Sequence, residues 1–401
     1  MIDTFRCTVN KRGRHRSDDA QMEKEIREKT GVAPFSRIEK LIKKLIRDLD
    51  LDLSHLVVLT EAATGNYMFT PLVAALANAE KVIAVTEDSR YGKSKDVIKN
   101  TLLFADYLGV EGKIEIFDVL KPALIEKADI VTNLGFLRPI DKNFISCLKP
   151  TAVIPLMYET WEFREQDLDL HECWKKGVPV LGTNEEHEAL RIFDYVGHLC
   201  LKKLYEAEEE VFRSKIVLVG DNRFGKNIVK TLSAVGAEVL CVTKAEEEEV
   251  RQLGGTKIGC NLKESGVQDK MRSCEAIIIN TYPSRDVVIG ENGDISTKRL
   301  KELAPATAII QLNGQVDRKS LDKYGFFCLP REEPKVGHMG WTLADLGPKP
   351  LIALHTGGLK VGELLARARL KGLNHIEAER EAIKHEICQD FSPKQRRKYK
   401  N

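Results

Sequence analysis

The sequence predicts an α/β protein built from two doubly wound parallel-sheet domains joined by long helices, and three observations carry that reading. The chain has 401 residues, more than one hydrophobic core usually fills, so two domains of roughly 100–200 residues are expected. Short runs rich in Val and Ile alternate with amphipathic stretches, the pattern of parallel strands with helical crossovers. That alternation occurs twice, over residues 56–186 and 214–355, with a helical stretch between them.

Hydrophobic residues make up 43% of the chain and charged residues 30%, with 62 Lys and Arg against 60 Asp and Glu. Such a chain is too apolar to be disordered, and it lacks the basic excess of a dedicated nucleic-acid binder. No run approaches the roughly 18–20 apolar residues of a membrane span. The N-terminal MIDTFRCTVNKRGRHRSDD carries charges where a signal peptide needs an apolar segment, so a cytoplasmic protein without a membrane partner is expected. Nine cysteines form no C-x-x-C pair and are expected as reduced, mostly buried thiols; nine histidines form no H-E-x-x-H pair, and no metal site is expected.

In chain order, RIEKLIKKLIRDLDL (37–51) places Ile38, Leu41, Ile42, Leu45, Ile46 and Leu49 on one face and predicts a leading helix. The basic KRGRHR (11–16) and the closing PKQRRKYKN are expected as solvated tails. HLVVLTE, KVIAVTED, KIEIFDV, ADIVTNL, TAVIPLMYE and VPVLGTN are the strands of the first domain. HEALRIFDYVGHLCLKKLYEAEEEVFR (187–213), with Gly197 as its one helix breaker, predicts a long helix. SKIVLVGD, AEVLCVTK, CEAIIINTYP, TAIIQLNGQVD, GFFCLP and PLIALHTGG are the strands of the second. The expected division is 1–186 plus 356–401 as a substrate domain with an N-terminal helical extension, and 187–355 as a dinucleotide-binding domain.

KIVLVGDNRFGKNIVKTLSAVGAEVLCVTK reads as strand, turn, helix, turn and strand. In G-x-G-x-x-G the first glycine makes the tight turn, the second admits a pyrophosphate and the third lets helix and strand approach. Here those positions are Gly220, Asn222 and Gly225, so the middle position is degraded. Arg223 and Phe224 complete the turn, and the helix N-terminus with Lys226 nearby offers charge to an anion. Thr243 and Lys244 stand where a ribose-binding acid usually ends the next strand, which leans toward NADP over NAD, although Glu246–Glu249 lie close by. Thr281, Tyr282, Pro283, Asn313 and Gly314 end the strands expected to flank the cofactor.

The first domain has its own strand, loop and helix, TEAATGNYMFTPLVAALANAEKVIAVTEDSRYG, with Thr64-Gly65-Asn66 in the loop and Asp88 after the next strand. Either the loop merely permits the turn, or the domain holds a nucleotide-like ligand; a group-transfer site such as one for S-adenosylmethionine is one form of the second reading. Tyr158, Glu159, Trp161 and Arg164, in the polar and aromatic cluster YETWEFR, follow a strand and are candidates for a substrate pocket. Asn133, Gly135 and Arg138, after another strand, are candidates for the same pocket.

Near the end, Glu332-Glu333-Pro334 precede His355-Thr356-Gly357-Gly358, with His355 expected at a strand end. A histidine oriented by a carboxylate is a competent acid–base pair. Here the sequence resembles the D-isomer-specific 2-hydroxyacid dehydrogenases, whose second domain has a Glu-Pro segment followed by Pro-His-x-Gly-Gly. His355 and Glu333 fall on that family's acid–base pair, with Leu354 in place of the proline. The resemblance covers about 175–375 and includes CEAIIINTYPS, TAIIQLNGQVDRKSL and VPVLGTNEEHEALRIFDYVGHLCL. It implies an NAD(P)-dependent oxidoreductase moving hydride to or from a hydroxyl or carbonyl of a small polar metabolite, acting as a homodimer. The family's carboxylate-clamping Arg is absent: the chain has Gln311, Leu312 and Asn313 there, and Arg138 or Arg164 is expected to substitute. LNGQVD and Gly225-Lys226 also resemble S-adenosylhomocysteine hydrolase, whose His-Met-Thr motif is missing. The rival reading is a two-domain protein that binds a nucleotide or metabolite without turnover.

Overall fold

A computed structural model describes residues 34–400 except 222 and 337, together with residues 20, 21, 23, 24, 27 and 28. The basic run at 11–16 lies outside the described residues. The chain divides into two compact units, Met1–Asn184 with Ile352–Asn401, and Glu185–Leu351. Both are parallel sheets flanked by helices, the fold class the alternating pattern predicts.

In the first unit, β1 (Val57–Glu61), β2 (Lys81–Val85), β3 (Ile114–Phe117) and β4 (Ile130–Val131) form a parallel sheet ordered β3-β2-β1-β4. A parallel bridge from Ile130 to Val153 leads to β5 (Ile154–Pro155), which pairs in parallel with β6 (Val180–Thr183). The chain's last strand, Cys388–Gln389, joins β6 antiparallel. The strands are buried almost throughout, as expected where helices cover both faces of a parallel sheet. Helix α1 (Phe35–Asp48) buries Ile38, Ile42 and Leu45, the face read from the sequence, and its Phe35 ring packs 3.8 Å from Phe104. Helices α2 (Phe69–Leu76) and α3 (Ser94–Leu108) follow β1 and β2.

In the second unit, β7 (Lys215–Val219), β8 (Glu238–Val242), β9 (Thr256–Gly259), β10 (Ala276–Asn280), β12 (Ala308–Asn313) and β14 (Cys328–Leu329) are all parallel, ordered β14-β12-β10-β7-β8-β9. A small pair, β11 (Val287–Ile289) and β13 (Gln315–Val316), stands beside them. The helix expected over 187–213 is shorter: α4 spans Asp194–Glu206, because Arg191 and Glu208 take left-handed backbone, φ 45° and 63°, which a helix does not continue through. It packs against α5 (Gly225–Ala234), where a Cβ on Gly197 would lie 2.4 Å from the Asn227 carbonyl. Helix α6 (Arg318–Lys323) starts at Asp317, whose carboxylate caps it by accepting from the Ser320 N–H at 3.0 Å.

Two expectations are corrected. PLIALHTGG is not a strand but the start of α7 (Pro348–Leu370). Its prolines sit in the first turn, where no N–H is needed, and a short apolar run does not by itself distinguish a buried strand from a buried helix. Gly358 and Gly362 stay helical because Met157 and Ile130 press on them: a Cβ would lie 2.4 Å from Met157 Sδ and 2.8 Å from Ile130 Cγ2. The closing basic stretch is also no solvated tail. Pro393–Lys400 is helical, Arg396 pairs with Glu379 at 2.6 Å, Lys398 pairs with Glu165, and Tyr399 packs on Phe163. Among the described residues the cysteines are unpaired, six of them buried, with Cys147 half-buried and Cys260 exposed.

Candidate functional site

In the second unit the strand order reverses between β7 and β10, and open α/β sheets bind ligands beyond the carboxyl ends of the strands at such a point. Gly220 ends β7 with φ 142°, and a Cβ there would lie 1.8 Å from the Asn280 carbonyl oxygen, so only glycine fits. Asn222 lies outside the described residues. Arg223 pairs with Glu186 at 3.0 Å and lies over the Phe193 ring; Phe224 is buried edge-on against that ring. Gly225 opens α5, and Lys226 is drawn to Glu249 at 2.5 Å on the surface.

The carboxyl ends of β10 and β12 are stitched together. Asn313 Nδ2 donates to Asn280 Oδ1 and its Oδ1 accepts from the Tyr282 N–H, both at 2.8 Å. Gly314, φ 96°, lies so close to Thr281 that a Cβ would stand 2.1 Å from Thr281 Oγ1. Pro283 follows, exposed. Thus Gly220, Thr281, Tyr282, Asn313 and Gly314 come together on one edge.

At the end of β8 the sequence reading missed Asp221. Its carboxylate accepts from Thr243 Oγ1 at 2.7 Å and from the Lys244 N–H. A negative charge therefore stands where Thr243 and Lys244 alone leaned toward a 2′-phosphate. The turn itself supplies the acid, one residue after its first glycine, instead of the following strand end.

At the clamp position Gln311 is buried and tied into its own turn: Nε2 donates to the Gly314 carbonyl at 2.8 Å and Oε1 accepts from Arg318. Arg318, on α6, is a cation the sequence reading did not single out, seven residues beyond the position where one was sought. Glu333 is exposed in the segment after β14.

His355 belongs to the first unit, on α7. It is buried, and Nδ1 lies 2.5 Å from Thr70 Oγ1 on α2, with the Tyr67 ring 6.3 Å away. Burial lowers its pKa to about 4, so the ring is neutral at neutral pH. Its observed hydrogen-bond partner is a hydroxyl, a residue that no sequence signal pointed to.

The carboxyl edge of the first sheet is densely polar. Glu61 ends β1, buried, and accepts from the Phe136 N–H at 2.9 Å; burial raises its pKa, opposed by the N–H groups of Phe136 and Gly135 and by Arg138. Asn133, after β4, accepts from the Met157 N–H through Oδ1 at 2.8 Å. Arg138 donates through Nε to the Asn133 carbonyl at 2.6 Å, pairs with Asp167 at 3.0 Å and lies over the Tyr158 ring at 5.5 Å. Burial pushes the Tyr158 hydroxyl up to about 12, against the opposing charges of Arg138 and Arg164. Glu159 is wholly buried and accepts from Trp161 Nε1 at 2.5 Å, a structural pairing within the loop. Arg164 is half-buried, with no side-chain hydrogen bond or ion pair among the described residues. Asn133, Gly135, Arg138 and Tyr158 thus meet around Glu61 and Asp167, and Arg138 is held by its own loop.

No family model matches the chain, and no curated protein matches it. Solved structures do. A dipicolinate synthase chain from Bacillus subtilis aligns with TM-score 0.50 and 13% identity over 80% of this chain and 99% of that one. The corresponding dipicolinate synthase chain from Bacillus halodurans aligns with TM-score 0.49 and 12% identity over 80% and 98%. A D-isomer specific 2-hydroxyacid dehydrogenase from Lactobacillus delbrueckii ssp. bulgaricus, of the family the sequence resembles, aligns with TM-score 0.43 and 15% identity over 79% and 97%. The chain therefore has the two-unit, Rossmann-like α/β fold, shared with the dipicolinate synthase of Bacillus subtilis.

Proposed function

We propose that this protein is a nicotinamide-dependent oxidoreductase whose second unit binds the dinucleotide and whose first unit presents polar groups to a small hydroxyl- or carbonyl-bearing metabolite. The observation that carries the reading is Gly220: a glycine that nothing else can replace, at the reversal of strand order and five residues before the start of α5, whose dipole favours an anion. When bound, a nicotinamide supplies or accepts the hydride. Asp221, beside Thr243 and Lys244, suits ribose hydroxyls better than a 2′-phosphate, so NAD is favoured over NADP.

The neutral imidazole of His355 is a proton acceptor for a substrate hydroxyl in the oxidising direction. Thr70 orients it through Nδ1; Glu333 is the partner that the family resemblance implies. Comparing Thr70→Val with Glu333→Gln separates the two, since only the true partner's loss lowers kcat while leaving dinucleotide affinity unchanged. Of the cations near a substrate carboxylate, Arg138 is engaged by Asp167 and the Asn133 carbonyl, which leaves Arg164 and Arg318 as the better candidates.

The test is fluorescence titration with NADH and NADPH, followed by turnover on a panel of 2-oxo acids. We expect NADH to bind more tightly than NADPH, and His355→Ala to keep binding while losing turnover. Failure of both dinucleotides to bind overturns the proposal. Binding without turnover on any substrate supports instead a protein that binds a dinucleotide and no longer turns it over, a reading favoured by Gln311 being locked into the turn that follows its strand.

A further inference from the structure

The loop that follows β5 is held in place by the closing segment of the chain. Cys388 and Gln389 pair antiparallel with Thr183 and Gly182 of β6. Gly182 lets the loop lie directly on that strand, since a Cβ there would stand 2.7 Å from Thr160 Cγ2. Thr160 is then bonded through three groups: its N–H and its hydroxyl both donate to Gln389 Oε1, at 2.6 and 2.9 Å, and its carbonyl accepts from Gln395 Nε2 at 2.9 Å. The closing helix is itself fixed to the body of the unit, because Arg396 pairs with the buried Glu379, which also accepts from the Val180 N–H at 3.0 Å.

The same segment brackets one residue of the loop. Phe163 packs edge-on against Phe391 and against Tyr399, with ring centroids 5.7 Å apart in both pairs. Glu165 pairs with Lys398 and accepts from the Tyr399 hydroxyl at 3.3 Å. Between them, Arg164 is half-buried and makes no side-chain hydrogen bond or ion pair among the described residues. Both of its chain neighbours are anchored while its own guanidinium is left for a group from outside the chain.

A second observation concerns the neighbourhood of that guanidinium. The Tyr158 hydroxyl is buried without a hydrogen-bond partner, and the Arg164 charge reaches it. Native proteins leave few buried hydroxyls unsatisfied without a reason, and a ligand edge is one. An arginine fork matches a carboxylate through two parallel hydrogen bonds. Glu162 and Asp167, whose charges also reach Tyr158, disfavour a doubly charged phosphate there.

We propose that segment 388–399 is a strap that positions Arg164 to receive the carboxylate of a bound metabolite. The proposal rests on the first unit being the one that takes the substrate. Arg164 touches the carboxylate; Gln389, Lys398 and Tyr399 are positioning residues that act through the loop. Tyr399 is half-buried and Lys398 exposed, so changing them loosens the strap without opening the core.

The test uses the full chain and two measurements that need no turnover: hydrogen exchange of the loop, and phenylglyoxal labelling of arginines mapped by mass spectrometry, with pyruvate, 2-oxoglutarate or inorganic phosphate present. We expect a 2-oxo acid to slow labelling of Arg164 at least fivefold, and phosphate to slow it less. Tyr399→Ala should speed exchange of the 158–165 amides at least tenfold and cut the shielding of Arg164 below twofold, with NADH affinity unchanged. Tyr399→Phe, which keeps the ring, should stay within twofold of the unaltered chain, and Lys398→Ala should lie between. On a 2-oxo acid that is turned over, Tyr399→Ala and Arg164→Ala should each raise KM at least tenfold at unchanged kcat, and the double variant should be no worse than Arg164→Ala alone. The proposal is overturned if no 2-oxo acid shields Arg164, if phosphate shields it better, if Tyr399→Ala leaves loop exchange unchanged, or if the two substitutions add. Loss of NADH binding with Arg164 still shielded by a 2-oxo acid sinks the oxidoreductase reading and leaves this one standing.

Discussion

His355 is the residue where burial and chemistry conflict most directly. Its pKa falls from 6.5 to about 4 on folding because the interior disfavours the charged ring. Between those values the unfolded chain binds more protons than the folded one, so stability is complete above about pH 6.5 and drains away as pH falls toward 4. The slope is at most about 1.4 kcal/mol per pH unit, and the loss by pH 4 is roughly 3 kcal/mol. Urea denaturation from pH 7 to 4 should show this drop, and His355→Asn should flatten it; an unchanged slope in the variant assigns the acid sensitivity elsewhere. Gly220 gives a second prediction. Its Cβ would strike a backbone carbonyl, so Gly220→Ala is expected to lower stability by about 1–3 kcal/mol through strain and to abolish NADH binding in fluorescence titration. Gly220 was legible because a turn glycine has a sequence signature. Thr70 was not, because a hydroxyl that meets a histidine from a distant helix leaves no local pattern, and the engagement of Asp88 by Lys93 and Ser94 was hidden because only the folded loop brings them together.

Elements were readable where periodicity ran long. Helix α1 buries the face its spacing predicts, and the strands of both sheets fall within the apolar runs except β9 (Thr256–Gly259), a short and partly exposed edge strand that none of them covers. The failures came from short apolar segments and from backbone turns. PLIALH is apolar enough for a strand and long enough for neither choice; what decides it is that α7 presses Gly358 and Gly362 onto Met157 and Ile130, contacts no local window contains. The end of the expected long helix was likewise set by left-handed Arg191 and Glu208, residue types that give no warning of it. Gly197 shows how packing reverses an intrinsic preference. In a free helix Gly→Ala gains about 1 kcal/mol, but here the new methyl meets the Asn227 carbonyl at 2.4 Å and Thr231 Oγ1 at 2.2 Å. Overpacking of that kind costs about 1–3 kcal/mol, so Gly197→Ala should be net destabilising in chemical denaturation, and a gain in stability would show that α4 and α5 yield easily.

At the scale of the molecule, the repeated sheet pattern was the most legible feature, since two runs of alternating strand and helix require two sheets. Their strand orders were not legible, because crossovers of similar length serve several orders, and the reversal point that locates the candidate dinucleotide site is visible only once the strands pair. The second unit should respond to a dinucleotide. A ligand at 100 times its Kd stabilises the unit that binds it by about 2.7 kcal/mol. Hydrogen exchange should therefore show NADH protecting amides of 185–351; protection confined to the first unit would contradict a dinucleotide site on the second.

The first unit draws on two separate stretches of sequence, 1–184 and 352–401, with the continuous second unit lying between them in chain order. On the ribosome, residues 185–351 have everything their sheet needs once they emerge. The earlier-made strands must wait, with α7 and the strand beside β6 still inside the tunnel, and their apolar edge is uncovered for that interval. Slowing translation just beyond residue 351 should therefore lengthen exposure of the part made first, and chaperone dependence is expected to follow the pace at which the final fifty residues are added.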